Sequence, residues 1–434
     1  MLRKIYYSGD FNKIIKKLNS RKEEINKDVT TTVEEILKDV KLNGDEAIIR
    51  YAEKFDGYKI KNIQEIIVFD MELEEGAKKA GNKFIKILER AKYQITEFHK
   101  NQISKSWSMY KDDGVIMGQI VRPLEKVAVY VPGGTACYPS TVMMNVIPAK
   151  LAGVKEIIMI TPVKEDGKVA DTILAAAKVC GIKKIYKIGG AQAIGAVAYG
   201  TKTIPKVDKI VGPGNIFVAT AKKCCYGLVD IDMIAGPSEV LVVADETANP
   251  KYTVADLMSQ AEHDKLSSSI LITTDESLVD KVNYEIERQI CYLKRKDIIK
   301  YSMKNFGAGI IVKNIDDAFK VANEIAPEHI EILTKNPIAM LPKVKNAGSI
   351  FLGENTPEPL GDYMSGTNHV LPTSGPAKFY SGLGVYDFVK YSSYSYYPKD
   401  ILKTFKDDIV EFAGLEGLDA HSNSIKVRFE DEKK

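Results

Sequence analysis

No uninterrupted apolar stretch of this chain is long enough to span a bilayer. Its first ten residues hold no apolar core and no small-residue cleavage site, so no signal peptide is expected and the cytoplasm is the expected compartment. Charge of one sign is also missing: 61 Lys and Arg face 58 Asp and Glu. That balance speaks against nucleic acid or an acidic membrane surface as a partner. The five cysteines (Cys137, Cys180, Cys224, Cys225, Cys291) are odd in number and form no Cys-x-x-Cys pair. Neither a thiolate zinc site nor a disulfide framework is therefore expected, and buried, reduced thiols are. There is no GxGxxG fingerprint, internal repeat or low-complexity segment.

What is present suits a protein of two or more domains: 434 residues, 45% hydrophobic and 27% charged. Residues 10 to about 105 carry apolar positions at helical spacing, as in Val33-Glu34-Glu35-Ile36-Leu37-Lys38-Asp39-Val40. From about residue 125 the texture changes. Short β-rich runs (127–131, 156–160, 184–188) alternate with helical segments, and the pattern returns with 239–245, 269–273 and 309–312 around helices at 250–263 and 276–294. Alternation of this kind predicts βαβ units with parallel sheets. The expected organisation is a helical segment over 1–120, α/β modules over 121–235 and 236–380, and a C-terminal segment over 381–434 that closes with a helical stretch at 400–412.

In a parallel α/β sheet, ligands sit beyond the carboxyl ends of strands. Three glycine-bearing loops qualify: Tyr130-Val131-Pro132-Gly133-Gly134-Thr135, Gly189-Gly190-Ala191-Gln192-Ala193-Ile194-Gly195 and Gly212-Pro213-Gly214-Asn215. Each is explained by turn chemistry as well as by phosphate binding. Three within one module favour a nucleotide cleft, with Gln192 and Asn215 able to hydrogen-bond and Tyr130 to stack.

Histidine is scarce, yet four of the five stand in short polar clusters: Gln260-Ala261-Glu262-His263, Pro327-Glu328-His329, Asp362 with His369, and Glu416 with His421. Gln260 and His263, three apart on one helix, share a face and form a half-site for a metal, or a polar helix end. Glu328 and His329 are candidates for proton transfer, or a solvated pair. On a strand the two would point to opposite sides unless a turn brings both into a cleft. The fifth histidine, His99, lies in a charged helical stretch and reads as a solvated bystander.

Taken together, these phrases resemble the histidinol dehydrogenase family. The resemblance is carried by Tyr130-Val131-Pro132-Gly133-Gly134, Gly189-Gly190-Ala191-Gln192-Ala193-Ile194, Gly212-Pro213-Gly214-Asn215, Ala235-Gly236-Pro237-Ser238-Glu239-Val240, Ser259-Gln260-Ala261-Glu262-His263, Ala326-Pro327-Glu328-His329, Gly361-Asp362-Tyr363, the run from Gly366 to Thr373, and Glu416-Gly417-Leu418-Asp419-Ala420-His421, all in family order. It implies two Rossmann-like modules and a cytoplasmic homodimer that oxidises L-histidinol through histidinal to histidine with two NAD. It implies one Zn2+ per subunit held by Gln260, His263, Asp362 and His421, and a catalytic pair of Glu328 (water activation) and His329 (general base). Tyr130, Gln192 and Asn215 would contact NAD. Ser238, Gln260, His263, His329, Asp362, His369, Glu416 and His421 would contact substrate, with the C-terminal segment reaching the partner's active site. Rival readings are a zinc- and NAD-dependent dehydrogenase of another small alcohol, a zinc hydrolase, and a non-catalytic binding protein.

Overall fold

The computed structural model describes residues 1–10, 27–133, 137–234 and 236–433. In chain order its strands are β1 (Arg3–Tyr6), β2 (Trp107–Tyr110), β3 (Ile116–Pro123), β4 (Lys126–Tyr130), β5 (Glu156–Ile160), β6 (Lys184–Tyr186), β7 (Lys209–Val211), β8 (Asp230–Ile231), β9 (Glu239–Ala244), β10 (Ser268–Thr273), β11 (Ala308–Ile311), β12 (His329–Leu333), β13 (Ser349–Leu352) and β14 (Val389–Tyr396). They make three sheets, ordered β6-β5-β4-β7-β8, β1-β11-β10-β9-β12-β13 and β14-β3-β2. The chain divides into two compact units, one of Met1–Ile103 with Leu124–Phe388, the other of Ser104–Pro123 with Val389–Lys434.

The larger unit holds the two parallel sheets. Their central strands are near-continuous apolar runs, because helices cover both faces. Every residue of β9 and β10 is buried. Helices Pro139–Ala152, Asp171–Cys180, Gly190–Tyr199 and Ile216–Cys225 connect the strands of the five-stranded sheet. The helices Lys27–Asn43, Asp70–Ala80 and Asn82–His99 pack on that layer, so the helical pattern read before residue 105 supplies its outer cover. Residues 11–26 of that pattern lie outside the described residues.

In β12 side chains alternate between two cores. Ile330 and Ile332 join one with helix Ile315–Ile325, while Leu333 joins the other with Val254 and Leu257 of helix Pro250–Ala261. By the period of two, His329 and Glu331 share the face of Leu333 and look toward that helix.

The pattern reading needs three amendments. The first residues are not helical; β1 pairs in parallel with β11 and forms the sheet's edge. The helix expected over 276–294 stops at Ile290, and a second, Lys296–Phe306, follows. The closing helix is two, Lys399–Thr404 and Lys406–Leu415, followed by Asp419–Lys426. In the smaller unit β14 and β2 flank β3, antiparallel in both pairings.

Candidate active site

The site grows from the amino end of β12. Helix Ile315–Ile325 ends at Ala326, a non-glycine residue held in the left-handed region (φ 52°). Such a conformation persists only where its surroundings over-determine it. It turns the chain so that Glu328, one residue before the strand, and His329, the first residue in it, meet the same neighbour instead of diverging. Glu328 Oε2 accepts the Glu239 backbone N–H (2.9 Å), and His329 Nδ1 lies 3.1 Å from the Glu239 carbonyl. A carbonyl oxygen can only accept, so Nδ1 carries the proton and Nε2 presents a lone pair. Glu239 is in turn fixed by the Ser374 N–H on its Oε2 (3.1 Å).

Both members of the pair are buried. Burial, abetted by the carboxylates of Glu239, Asp362 and Glu358, pushes the Glu328 carboxyl well above its ordinary range. Burial also drives His329 down to about 4, with His263 and His369 lowering it further and Asp362 opposing. At neutral pH the imidazole is therefore a free base.

Two further elements close on this point. Helix Pro250–Ala261 brings Asp256, Ser259 and Gln260, and His263 stands just past its end in a turn, so the two residues expected on one helical face straddle the helix terminus. The Gln260 Oε1 is buried without a hydrogen-bond donor. The short helix Glu358–Tyr363, started by Pro359, carries Glu358 and Asp362 one turn apart. Ligand atoms of His329, Glu358 and Asp362 lie within 4.8 Å of one another. Glu358 is the residue that motif reading passed over; its spacing of four from Asp362 was the available signal. Burial, then the nearby Asp362, raises it to about 8. His369, in the loop beyond, has its Nε2 buried without a partner, and burial lowers its pKa. Ser238, in the loop before β9, is partly buried. The charged neighbours acting on Glu328, Glu358 and His329 are carboxylates and histidines, a donor set with several acceptors and, among the described residues, no matched cation. That is the chemistry of a cation site.

The glycine loops lie at the carboxyl ends of β4, β6 and β7, as expected, but backbone packing accounts for much of their glycine. Gly212 has φ +107°, and a Cβ there would stand 2.1 Å from the Tyr130 carbonyl oxygen. Gly189 abuts Pro162, where a Cβ would meet its ring at 2.4 Å. The Gly212 loop is clamped on both sides: its N–H donates to Asp232 Oδ2 (2.7 Å), and its carbonyl accepts from Lys222 Nζ (3.0 Å), which also pairs with Asp232. Tyr130 is buried and its hydroxyl accepts the Gly190 N–H (3.2 Å), so the ring is walled in where stacking was expected. Asn215 Oδ1 caps the next helix through the Phe217 and Val218 N–H groups, leaving the amide NH2. Gln192 is buried beside Gly190. Gly134 and Thr135 lie outside the described residues, as does Ala235.

With this geometry in hand, comparison with known proteins is decisive. A family model described as histidinol dehydrogenase matches residues 19–429. The chain belongs to the histidinol dehydrogenase family. Curated histidinol dehydrogenases from Lactococcus lactis subsp. lactis (64% identity, 99% of this chain and 100% of that one) and Clostridium acetobutylicum (55%, 97% of each) align with it end to end. A crystal structure of histidinol dehydrogenase from Elizabethkingia anophelis superposes with a TM-score of 0.93 at 37% identity, covering 100% of this chain and 99% of that one. As a member of the histidinol dehydrogenase family, the protein is an NAD-dependent oxidoreductase with the mixed, parallel-sheet architecture expected of it.

Two expected site residues belong to the smaller unit. Glu416 caps helix Lys406–Leu415, His421 lies in helix Asp419–Lys426, and both are exposed. Two side-chain readings are corrected. His99 is fully buried: Nδ1 meets Gln102 Oε1 at 2.7 Å, and Nε2 faces the Asn368 amide at 3.5 Å, next to His369. The charged helix around it disguises a face turned into the core. Of the cysteines expected to be buried, Cys180 and Cys225 are, while Cys137, Cys224 and Cys291 are exposed and all five are free thiols.

Proposed function

We propose that this chain is a zinc-dependent histidinol dehydrogenase, converting L-histidinol, two NAD and one water to L-histidine, two NADH and protons. The observation that carries the reading is the convergence of Glu328 and His329 on Glu239, with His329 Nε2 left free as a base beside a cation-deficient donor set. Gln260, His263, Asp362 and His421 would hold the zinc, and the partnerless Gln260 Oε1 suits a ligand atom. Zinc, when bound, supplies a borderline-soft positive centre that orients an amino- and imidazole-bearing substrate.

His329 takes the hydroxyl proton while a hydride leaves the carbinol carbon for NAD. Glu328, with His329, then deprotonates the water that adds to the aldehyde, and the hydrate yields the second hydride and the carboxylate. The charge of a bound zinc would favour ionised Glu328, offsetting the carboxylates around it. No thiol is required. Ser238, His369 and Glu416 would contact the substrate, and Tyr130, Gln192 and Asn215 the NAD. Residues 121–235 would serve the NAD side, 236–380 the zinc side. Residues 381–434 would reach across a cytoplasmic homodimer, so that the partner subunit's Glu416 and the partner subunit's His421 complete each site.

The test is turnover of L-histidinol by the zinc-loaded protein, with NADH and histidine both measured. Two NADH per histidine are expected, and Glu328→Gln should slow oxidation of supplied histidinal more than that of histidinol. Zinc and NAD binding without NADH formation would move the substrate to another small alcohol.

A further inference from the structure

Beneath the site lies a pair of carboxyl groups that the mechanism does not use. Glu331, two residues along β12 from His329 and on the same face, is 1% exposed; Asp256, on helix Pro250–Ala261, is 8% exposed. Glu331 Oε1 accepts the Glu358 N–H at 2.8 Å, the first backbone donor of the helix that carries Asp362. Glu331 Oε2 is buried and has no ordinary donor, yet it lies within hydrogen-bonding reach of the Asp256 side chain. Two ionised carboxylates cannot hydrogen-bond to each other; one must carry the proton. Burial raises both groups, Asp256 to about 6 and Glu331 well above its ordinary range, so the pair shares one proton between its two carboxyls. Nearby, Ser259 of the same helix donates to Glu358 Oε2 at 3.1 Å.

We propose that Glu331 and Asp256 form a carboxylic acid–carboxylate clamp that positions the zinc half-site, by tying the strand of His329, the helix of Gln260 and the helix of Asp362 at one buried point. The two are positioning residues, acting through the ligands they hold in place. The inference rests on the zinc reading above. A purely apolar filler would pack this face as well, but it could not take the Glu358 N–H and the Asp256 carboxylate at once. Glutamine could do both, with its carbonyl as acceptor and its NH2 as donor.

Zinc affinity, measured by competition with a chromophoric chelator, therefore separates the cases. Glu331→Gln should keep affinity and kcat within about threefold, whereas Glu331→Met should weaken zinc binding by about tenfold or more with an unchanged far-UV spectrum, as expected for a residue that orients ligands. The histidinol KM should rise with it. Should Glu331→Met fail to fold, Asp256→Ala, which leaves the Glu358 bond in place, should weaken zinc binding in the same direction and Asp256→Asn less. Zinc affinity unchanged in a folded Glu331→Met protein, or unchanged in Asp256→Ala, overturns the clamp. So does equal loss in Glu331→Gln and Glu331→Met. A wild-type protein that binds no zinc overturns the zinc reading itself and the clamp with it.

Discussion

At the scale of single residues the site is ruled by burial acting on groups that would be charged in water. His329 is neutral because its surroundings are dry; the bond from its Nδ1–H to the Glu239 carbonyl fixes the tautomer and opposes that shift without overcoming it. The same fact has a thermodynamic face. The folded-state pKa, about 4, lies below the ordinary 6.5, so the unfolded chain binds the extra proton between those values. The contribution of His329 to stability is thus complete above pH 6.5 and is lost as pH falls toward 4, by up to about 3 kcal/mol. In the zinc-free protein, His329→Asn should flatten the fall of the urea midpoint across that window; an unchanged slope would mean that the imidazole is not desolvated. Legible at this scale was composition: histidine near carboxylate, four times over. Exposure was not legible: His99 and Glu358 are both buried, in stretches whose neighbours in sequence are charged or polar. A helix with one buried face among charged neighbours looks solvated when read along the chain.

Elements were readable where the chain is buried on both sides. Strands β5, β9, β10 and β11 declare themselves as apolar runs because parallel sheets are covered on both faces. The four residues of β1 are only partly buried, and β2 is exposed throughout, so neither carries a pattern. The rule that ligands gather at carboxyl ends directs attention to the glycine loops after β4, β6 and β7 and away from the amino ends of β9 and β12, where Glu239, Glu328 and His329 meet. The setting of helix Glu358–Tyr363 also depends on one small residue. A Cβ on Gly361 would stand 2.5 Å from the buried Phe351 ring, which itself lies against His329 (centroids 5.9 Å apart). Gly361→Ala should cost about 1–3 kcal/mol through overpacking and move Asp362 away from His329. A lower melting temperature together with weaker zinc binding is the expected result; a variant that loses neither would show that the helix has slack.

For the molecule as a whole, Glu416 and His421 read along the chain either as residues with a long-range role or as an exposed tail, and both lie exposed in the smaller unit. If subunits complete each other's sites, chains carrying His329→Ala and His421→Ala, each inactive alone, should recover activity when mixed. Free exchange would restore about a quarter of the wild-type rate, because half the dimers are mixed and each has one intact site. Recovery that never exceeds the sum of the two separate mutants would confine each site to one chain.

The parallel pairing of β1 with β11 bears on how the protein is made. Arg3–Tyr6 are made some three hundred residues before their partners, Ala308–Ile311. At roughly 5–20 residues per second, the opening strand waits on the order of 15–60 s for the edge it completes. During translation one edge of the six-stranded sheet thus stays open until β11 has been made, and the opposite edge, β13, is made later still.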